Sequence, residues 1–99
     1  MALRPEVTLD KFLGRGKGYL PGLIGIRFTE VVENRVSAEL DIRDELLAPN
    51  GYLHAATVIA LADTACGYGC LAHLPAGAEN FTTIELKINF VRPVTSGSI

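Results

Sequence analysis

His54 and Asp63 are the two residues whose types and spacing best suit chemistry, and they lie nine positions apart in an otherwise apolar stretch. Asp63 is the only carboxylate between residues 48 and 70. An isolated carboxylate among apolar side chains costs free energy unless it is paired, and perturbed carboxylates concentrate at functional sites. A carboxylate here could act as a general base on water or attack an acyl carbon directly.

The stretch that carries both residues is predicted to be a helix over residues 55–72. Alanine, leucine and isoleucine dominate its first half, and the Pro49-Asn50-Gly51 cluster before it is a turn signal. Pro75 prevents the helix from continuing. The first N–H groups of such a helix lack helical partners and carry the positive end of its dipole, so they suit an oxyanion or a polarised carbonyl.

Helical geometry separates the two chemical groups. Nine positions place His54 and Asp63 on opposite sides of the helix, about 13 Å apart along its axis. One chain therefore cannot bring the helix start and Asp63 to the same reacting atom. Two antiparallel copies could, so the spacing predicts a two-fold homodimer with two shared sites, either alone or as a dimer of dimers (a homotetramer).

The part of the chain before this helix predicts one short helix and a hairpin. Residues 8–15 suit a helix with Thr8 as its N-cap. Residues 23–32 and 35–43 are rich in β-branched and apolar side chains. The short link at 33–34 lies where a tight turn belongs, so these two runs predict an antiparallel hairpin.

The part after the helix predicts another strand. Residues 81–94 alternate between apolar and polar side chains, which is typical of a strand with one buried face. The apolar members expected on that face are Ile84, Leu86, Ile88 and Phe90. Residues 95–98 predict a turn, after which Ile99 is expected to open a further strand.

Composition argues against several classes of protein. The net charge is −2 and the chain has no basic stripe, so nucleic acid is not an expected partner. The first residues lack the apolar core of a signal peptide, which favours a cytoplasmic location. Cys66 and Cys70 share one predicted helix face, but no other Cys or His completes a ligand set, so no metal ion is expected. The central Asp63 argues against a membrane span, so no membrane partner is expected either.

Three short motifs stand out along the chain. They are N-G-x-x-H at residues 50–54, A-D-T-A at residues 62–65 and R-P-V-x-x-G at residues 92–97. Together they resemble the hotdog-fold acyl-CoA thioesterases, especially the phenylacetate-degradation (PaaI-type) and 4-hydroxybenzoyl-CoA thioesterase-like group. The resemblance implies an α+β hotdog fold, in which an antiparallel β-sheet wraps around a long central apolar helix. It also implies a single domain over residues 1–99.

The resemblance assigns roles to individual residues. Asp63 would be the general base or nucleophile, and the N–H groups of Ala55 and Ala56 would polarise the thioester carbonyl. The expected catalytic residues are thus Asp63, His54, Asn50, Ala55 and Thr64, and the expected substrate-binding residues are Gly51, Ala56, Tyr68 and Arg92. Two positions depart from the family pattern. Ala48 stands where many relatives carry Gln or Asn, and Gly67 stands where Ser or Thr is common.

The function that the resemblance implies is hydrolysis of an aryl- or medium-chain acyl-CoA thioester to free acid and CoA. No cofactor is expected, because coenzyme A enters as part of the substrate. Two alternatives stay open. One is a non-catalytic acyl-CoA-binding or oligomerisation module, which would tolerate the loss of Asp63. The other is an acyl-thioester hydratase or dehydratase, against which the nine-residue spacing argues.

The order of predicted elements ends early in comparison with the resembled family. It is strand, strand, helix, strand and turn, whereas the family continues with further long strands. Three strands would leave much of the apolar helix uncovered and one sheet edge open. We therefore expect this sequence to be part of a longer chain and to lack the last strands of the family fold.

Overall fold

Helices and strands are both present, which confirms the predicted α+β class. The computed structural model describes residues 1–99 in full. In chain order the elements are α1 (Leu9–Arg15), α2 (Leu20–Ile24), β1 (Arg27–Val32), β2 (Arg35–Glu39), a 3₁₀ turn (Asp44–Leu46) and α3 (Ala55–Ala72). The long helix α3 has the bounds that were predicted from the sequence.

Two short helices precede the sheet. The Thr8 side chain accepts a hydrogen bond from an N–H in the first turn of α1, which confirms Thr8 as the N-cap. The prediction that the first strand begins at residue 23 is wrong, because Leu23 and Ile24 belong to α2. Pro21 lies in the first turn of α2, and Gly25 ends it with a φ of 84°. These two helix signals outweigh the apolar run that suggested a strand.

The hairpin is confirmed in its paired part. β1 and β2 pair antiparallel, with Val32 opposite Arg35. Asn34 in the turn has a φ of 62°, a left-handed conformation that asparagine tolerates better than most residues. The register shifts between Phe28 and Glu30, which indicates a bulge in β1.

α3 packs against β2 through small residues and two apolar clusters. A Cβ atom added to Gly69 would lie 3.4 Å from the Val36 side chain, so helix and strand are in close contact there. The two clusters consist of Phe12, Phe28 and Ala72, and of Leu40, Leu46 and Leu53. The second cluster joins the end of β2 to the turn that leads into α3.

The length and composition of α3 would also suit a membrane span, since it has 18 residues and a mean hydropathy of 1.4. The core helix of a soluble protein passes the same test. α3 carries Asp63 near its middle and packs against β2. Both features suit a core helix.

The return segment, residues 80–93, differs most from its prediction. It was expected to form a strand, yet its residues make no backbone–backbone hydrogen bonds. A strand needs a neighbour for its N–H and C=O groups, and no strand lies beside this segment. Ile84 is 95% exposed and Leu86 is 37% exposed, so they do not share one buried face as predicted. Beyond the segment, Ile99 does pair with Leu40 through backbone hydrogen bonds of 2.8 and 3.0 Å.

Candidate active site

The start of α3 is held by hydrogen bonds around His54. The Nδ1 atom of His54 accepts from the Ala56 N–H at 2.9 Å, so the ring caps the helix. The neutral ring then carries its hydrogen on Nε2, which leaves that atom as a donor. The His54 N–H donates to the Leu46 carbonyl at 3.0 Å, and the buried Thr57 hydroxyl donates to the same oxygen at 3.0 Å. The helix start is therefore fixed to the 3₁₀ turn.

The two backbone N–H groups that were expected to polarise a carbonyl differ in availability. The Ala56 N–H is already donated to the His54 ring, so it is not free for a substrate carbonyl in this geometry. The Ala55 N–H donates to no other group and lies at the positive end of the helix dipole. Ala55 therefore supplies the free backbone donor, next to the Nε2 donor of His54.

The turn before α3 depends on Asn50 and Gly51 for its shape. The Asn50 side-chain oxygen accepts from the Tyr52 N–H at 3.1 Å. Gly51 has a φ of 89°, a conformation in which a side chain would be strained. The Ala48 N–H closes the turn by donating to the Tyr52 carbonyl at 2.7 Å. The Asn50 oxygen is thus engaged, whereas its amide nitrogen remains available to donate.

A cavity of about 510 Å³, the helix-start cavity, opens beside this turn. Four of the predicted site residues line it together: Asn50, His54, Ala55 and Arg92. Most of its other lining residues are apolar, and they include Tyr52, Val58 and Phe90. Apolar walls with a few donors and one guanidinium suit a ligand that combines an apolar group, a carbonyl and a phosphate.

Asp63 lies at a different place on α3. It is half-buried, and its Oδ1 atom accepts a hydrogen bond from the Thr83 hydroxyl at 2.8 Å. It does not line the helix-start cavity, and the helical rise places it about 13 Å from His54 along the axis. Thr64, which was expected to be a catalytic residue next to Asp63, is half-buried and does not hydrogen-bond to the Asp63 carboxylate. Within one chain, the Asp63 carboxylate is thus far from the N–H donors that would bind a substrate carbonyl.

Tyr68 lies away from both groups, in an aromatic cluster. Its ring stacks on Phe28 with centroids 4.5 Å apart and meets Phe12 edge-on at 5.0 Å. Burial raises the pKa of the Tyr68 hydroxyl, and the nearby Arg15 charge opposes that shift. The three aromatic residues border a separate cavity of about 520 Å³. Tyr68 is therefore mainly a packing residue in this geometry and does not join the other predicted substrate-binding residues.

Thr83 is the polar contact that sequence reasoning missed. Alternation placed it on the polar face of a strand, without any partner. A signal in the sequence could have indicated it: two residues along an extended segment cover nearly the same distance as one turn of α3. Two residues of an extended chain span about 6.8 Å, and four residues of a helix span about 6 Å. An extended segment that returns antiparallel along α3 can therefore place alternate residues beside successive helical turns.

No three His, Cys, Asp or Glu side chains are grouped to hold a metal ion. Cys66 and Cys70 are free and exposed on α3. The His73 ring is fully used, because its Nε2 atom accepts from the Asn34 N–H and its Nδ1 atom bonds to the Gly69 carbonyl oxygen. His73 therefore adds no ligand to the two cysteines.

Comparison with known proteins gives the family. The sequence pattern of the thioesterase superfamily matches residues 50–99, which include the turn, α3 and the return segment. A 1,4-dihydroxy-2-naphthoyl-CoA hydrolase of Escherichia coli is 24% identical over 102 aligned residues, which cover 100% of this chain and 72% of that protein. A putative esterase of Mycobacterium tuberculosis is 28% identical over 78 residues, which cover 77% of this chain and 56% of that protein.

Solved structures agree on the fold. A mutant thioesterase from Pseudomonas aeruginosa superposes with a TM-score of 0.90 at 21% identity, over 99% of this chain and 70% of that one. A thioesterase from Haemophilus influenzae superposes with a TM-score of 0.88 at 23% identity, over 99% of this chain and 68% of that one. These likenesses confirm the predicted hotdog fold. With a family match over half of its length, this chain belongs to the thioesterase superfamily and is of the thioester hydrolase class.

Proposed function

We propose that the chain is an acyl-CoA thioesterase of the PaaI-type group that hydrolyses an aryl- or medium-chain acyl-CoA to free acid and CoA. The observation that carries this proposal is the helix-start cavity, where Ala55, His54 and Arg92 line one largely apolar space. The E. coli relative is named as the hydrolase of an aryl-CoA, which supports an aromatic acyl group. The motifs at residues 50–54 and 62–65 support the subtype.

The donors at the helix start would stabilise the charge that develops during the reaction. Attack on the acyl carbon moves negative charge onto the carbonyl oxygen. The Ala55 N–H and the His54 Nε2–H are the two donors placed for that oxygen, and fixed donors of this kind lower the barrier. Arg92 would bind a phosphate of CoA, for which a guanidinium is well suited.

Asp63 would carry out the attack or prepare it. As a general base it takes a proton from the water that attacks the acyl carbon. As a nucleophile it attacks the acyl carbon itself, and water then cleaves the resulting anhydride. In both routes the thiolate of CoA leaves and takes up a proton. Both routes require the Asp63 carboxylate beside a thioester whose carbonyl lies at a helix start.

The proposal therefore includes a two-fold homodimer. Each chain holds its own donors and its own Asp63 about 13 Å apart. An antiparallel pair of α3 helices places the helix start of one copy beside Asp63 of the other, and two-fold symmetry repeats this at a second site. Further association into a tetramer would leave both sites unchanged.

Free-thiol release from a panel of aryl- and alkyl-CoA thioesters tests the proposal. Asp63→Asn keeps the side-chain shape and removes its charge, so we expect kcat to fall roughly 10²- to 10⁴-fold. Asp44→Asn is the matched control, since Asp44 is exposed and its side chain makes no hydrogen bond, and it should keep the wild-type rate. Equal background rates in the wild type and in Asp63→Asn, with acyl-CoA binding intact, would overturn the proposal and favour a binding module.

A further inference from the structure

We infer that Thr83 is a positioning residue for Asp63, holding its carboxylate in the orientation that hydrolysis requires. The Thr83 hydroxyl donates to Asp63 Oδ1 at 2.8 Å, and no other side chain hydrogen-bonds to this carboxylate. A hydroxyl that donates to an ionised carboxylate makes a charge-assisted hydrogen bond, which is stronger than one between neutral groups. The contact leaves Oδ2 free for water or for the acyl carbon. The inference rests on the proposed role of Asp63 and adds a residue that has no role of its own in that proposal.

The packing of Phe81 on Gly67 brings Thr83 to this place. A Cβ atom on Gly67 would lie 2.6 Å from the Phe81 ring, so the ring occupies the space that a side chain would need. Thr83 follows Phe81 by two residues, and Asp63 precedes Gly67 by one helical turn. Because the two spacings are similar, a close contact at Gly67 sets the register that places Thr83 beside Asp63.

No serine or threonine of α3 can take over this contact. Gly67, one turn after Asp63, has no side chain. The Thr57 hydroxyl is buried and committed to the Leu46 carbonyl. Thr64 follows Asp63 directly in the helix, and neighbouring helical residues do not face each other. The hydroxyl of the return segment is therefore the one that fixes the carboxylate.

The expected consequence is specific to the chemical step. A positioning residue affects how often the carboxylate points at the acyl carbon, and misplacement of a reacting group lowers the rate of reaction steeply. Thr83 does not line the helix-start cavity, where the proposed substrate groups bind. Loss of its hydroxyl should therefore lower kcat and leave KM nearly unchanged. A merely structural role would instead lower the melting temperature, and any fall in the apparent kcat would then match the measured loss of folded enzyme.

Steady-state thiol release with Thr83→Val, Thr83→Ser and Thr82→Val tests the inference. Thr83→Val replaces the hydroxyl with a methyl group of similar shape, and Thr83→Ser keeps the hydroxyl. Thr82→Val is the matched control, because Thr82 is exposed and donates to no side chain. We expect kcat to fall about tenfold in Thr83→Val, the scale of one hydrogen bond to a charged group. Thr83→Ser should recover most of the rate, and Thr82→Val should match the wild type.

The Asp63→Asn background separates this inference from the proposed function. If Thr83 acts through Asp63, Thr83→Val should cause no further loss once Asp63 is Asn. Full activity of Asp63→Asn would contradict the proposed function itself. An inactive Asp63→Asn combined with wild-type kinetics in Thr83→Val would overturn only the inference. Thermal unfolding of every variant checks the fold. If Thr83→Val unfolds, Thr83→Ala takes its place, and loss of fold in both would show a structural role and overturn the inference.

Discussion

The start and the middle of α3 are held in different ways. At the start, main-chain atoms make most of the contacts: the His54 N–H and the Thr57 hydroxyl bond to the Leu46 carbonyl, and the Leu53 N–H bonds to the Val94 carbonyl at 2.7 Å. At the middle, the return segment touches the helix through side chains and makes no backbone–backbone hydrogen bonds. The helix start is therefore rigid by backbone geometry, whereas the orientation of Asp63 depends on particular side chains.

This difference matches the tasks that the two regions have in the proposed reaction. A carbonyl oxygen needs donors that are fixed before the reaction begins, and backbone N–H groups on a capped helix provide them. A general base or nucleophile must reach the reacting atom at the correct angle. Substitutions should consequently act differently at the two places. Removal of one N–H should matter most at the start, and changes of side-chain volume should matter most at the middle.

Of the three substitutions that compare the two regions, Ala55→Pro should have the largest effect on activity. Proline is favoured at the first position of a helix, and His54 already has the φ of −63° and ψ of 134° that a following proline requires. The variant should fold but lack the free N–H, so we expect kcat to fall roughly 10²- to 10³-fold. Ala55→Gly keeps the N–H and serves as the control in the same thiol-release measurement. Wild-type kcat in a folded Ala55→Pro would show that this N–H is not a donor to the substrate.

His54→Asn should have a smaller effect and would separate the two roles of this residue. Asparagine is a good N-cap, so the free energy of unfolding should change by less than about 0.5 kcal/mol. It lacks the ring donor on Nε2, and we expect kcat to fall about tenfold. Urea unfolding and thiol release on the same samples measure both. A normal rate in His54→Asn would leave the ring with capping as its only role.

Gly67→Ala should have the smallest effect of the three, and it acts on stability. The added methyl group would clash with the Phe81 ring, and this clash should outweigh the gain in helix propensity. We therefore expect the free energy of unfolding to fall by about 1 kcal/mol. Gly14→Ala in α1 is the matched control, because nothing lies within 4 Å of the added atom there, and it should be neutral or stabilising. Equal behaviour of the two variants would contradict the packing of Phe81 on α3.

The sequence predicted those parts of the fold that local signals determine. The bounds of α3, the Thr8 cap and the hairpin turn at Asn34 follow from propensity, capping and turn chemistry within a few residues. The short helix α2 was missed because Leu23 and Ile24 suit a strand by composition. Its own signals, Pro21 in the first turn and Gly25 at the end, are also local and would have corrected the prediction.

Other features depend on residues that are distant in the sequence. Alternation in residues 81–94 predicts a strand, but pairing needs a neighbouring strand, which this segment lacks. The contact of Thr83 with Asp63 requires a register between a helix and a segment that no motif encodes.

Mixing of two inactive variants tests the shared site most directly. Asp63→Asn lacks the carboxylate, and Ala55→Pro lacks the helix-start donor. In a mixed dimer with shared sites, the intact helix start of the first variant meets the intact Asp63 of the second, so one of the two sites is complete. After random exchange of subunits, half of the dimers are mixed, and we expect about a quarter of the wild-type thiol release. No recovery above the separate variants, with subunit exchange shown independently, would contradict a site built from two chains.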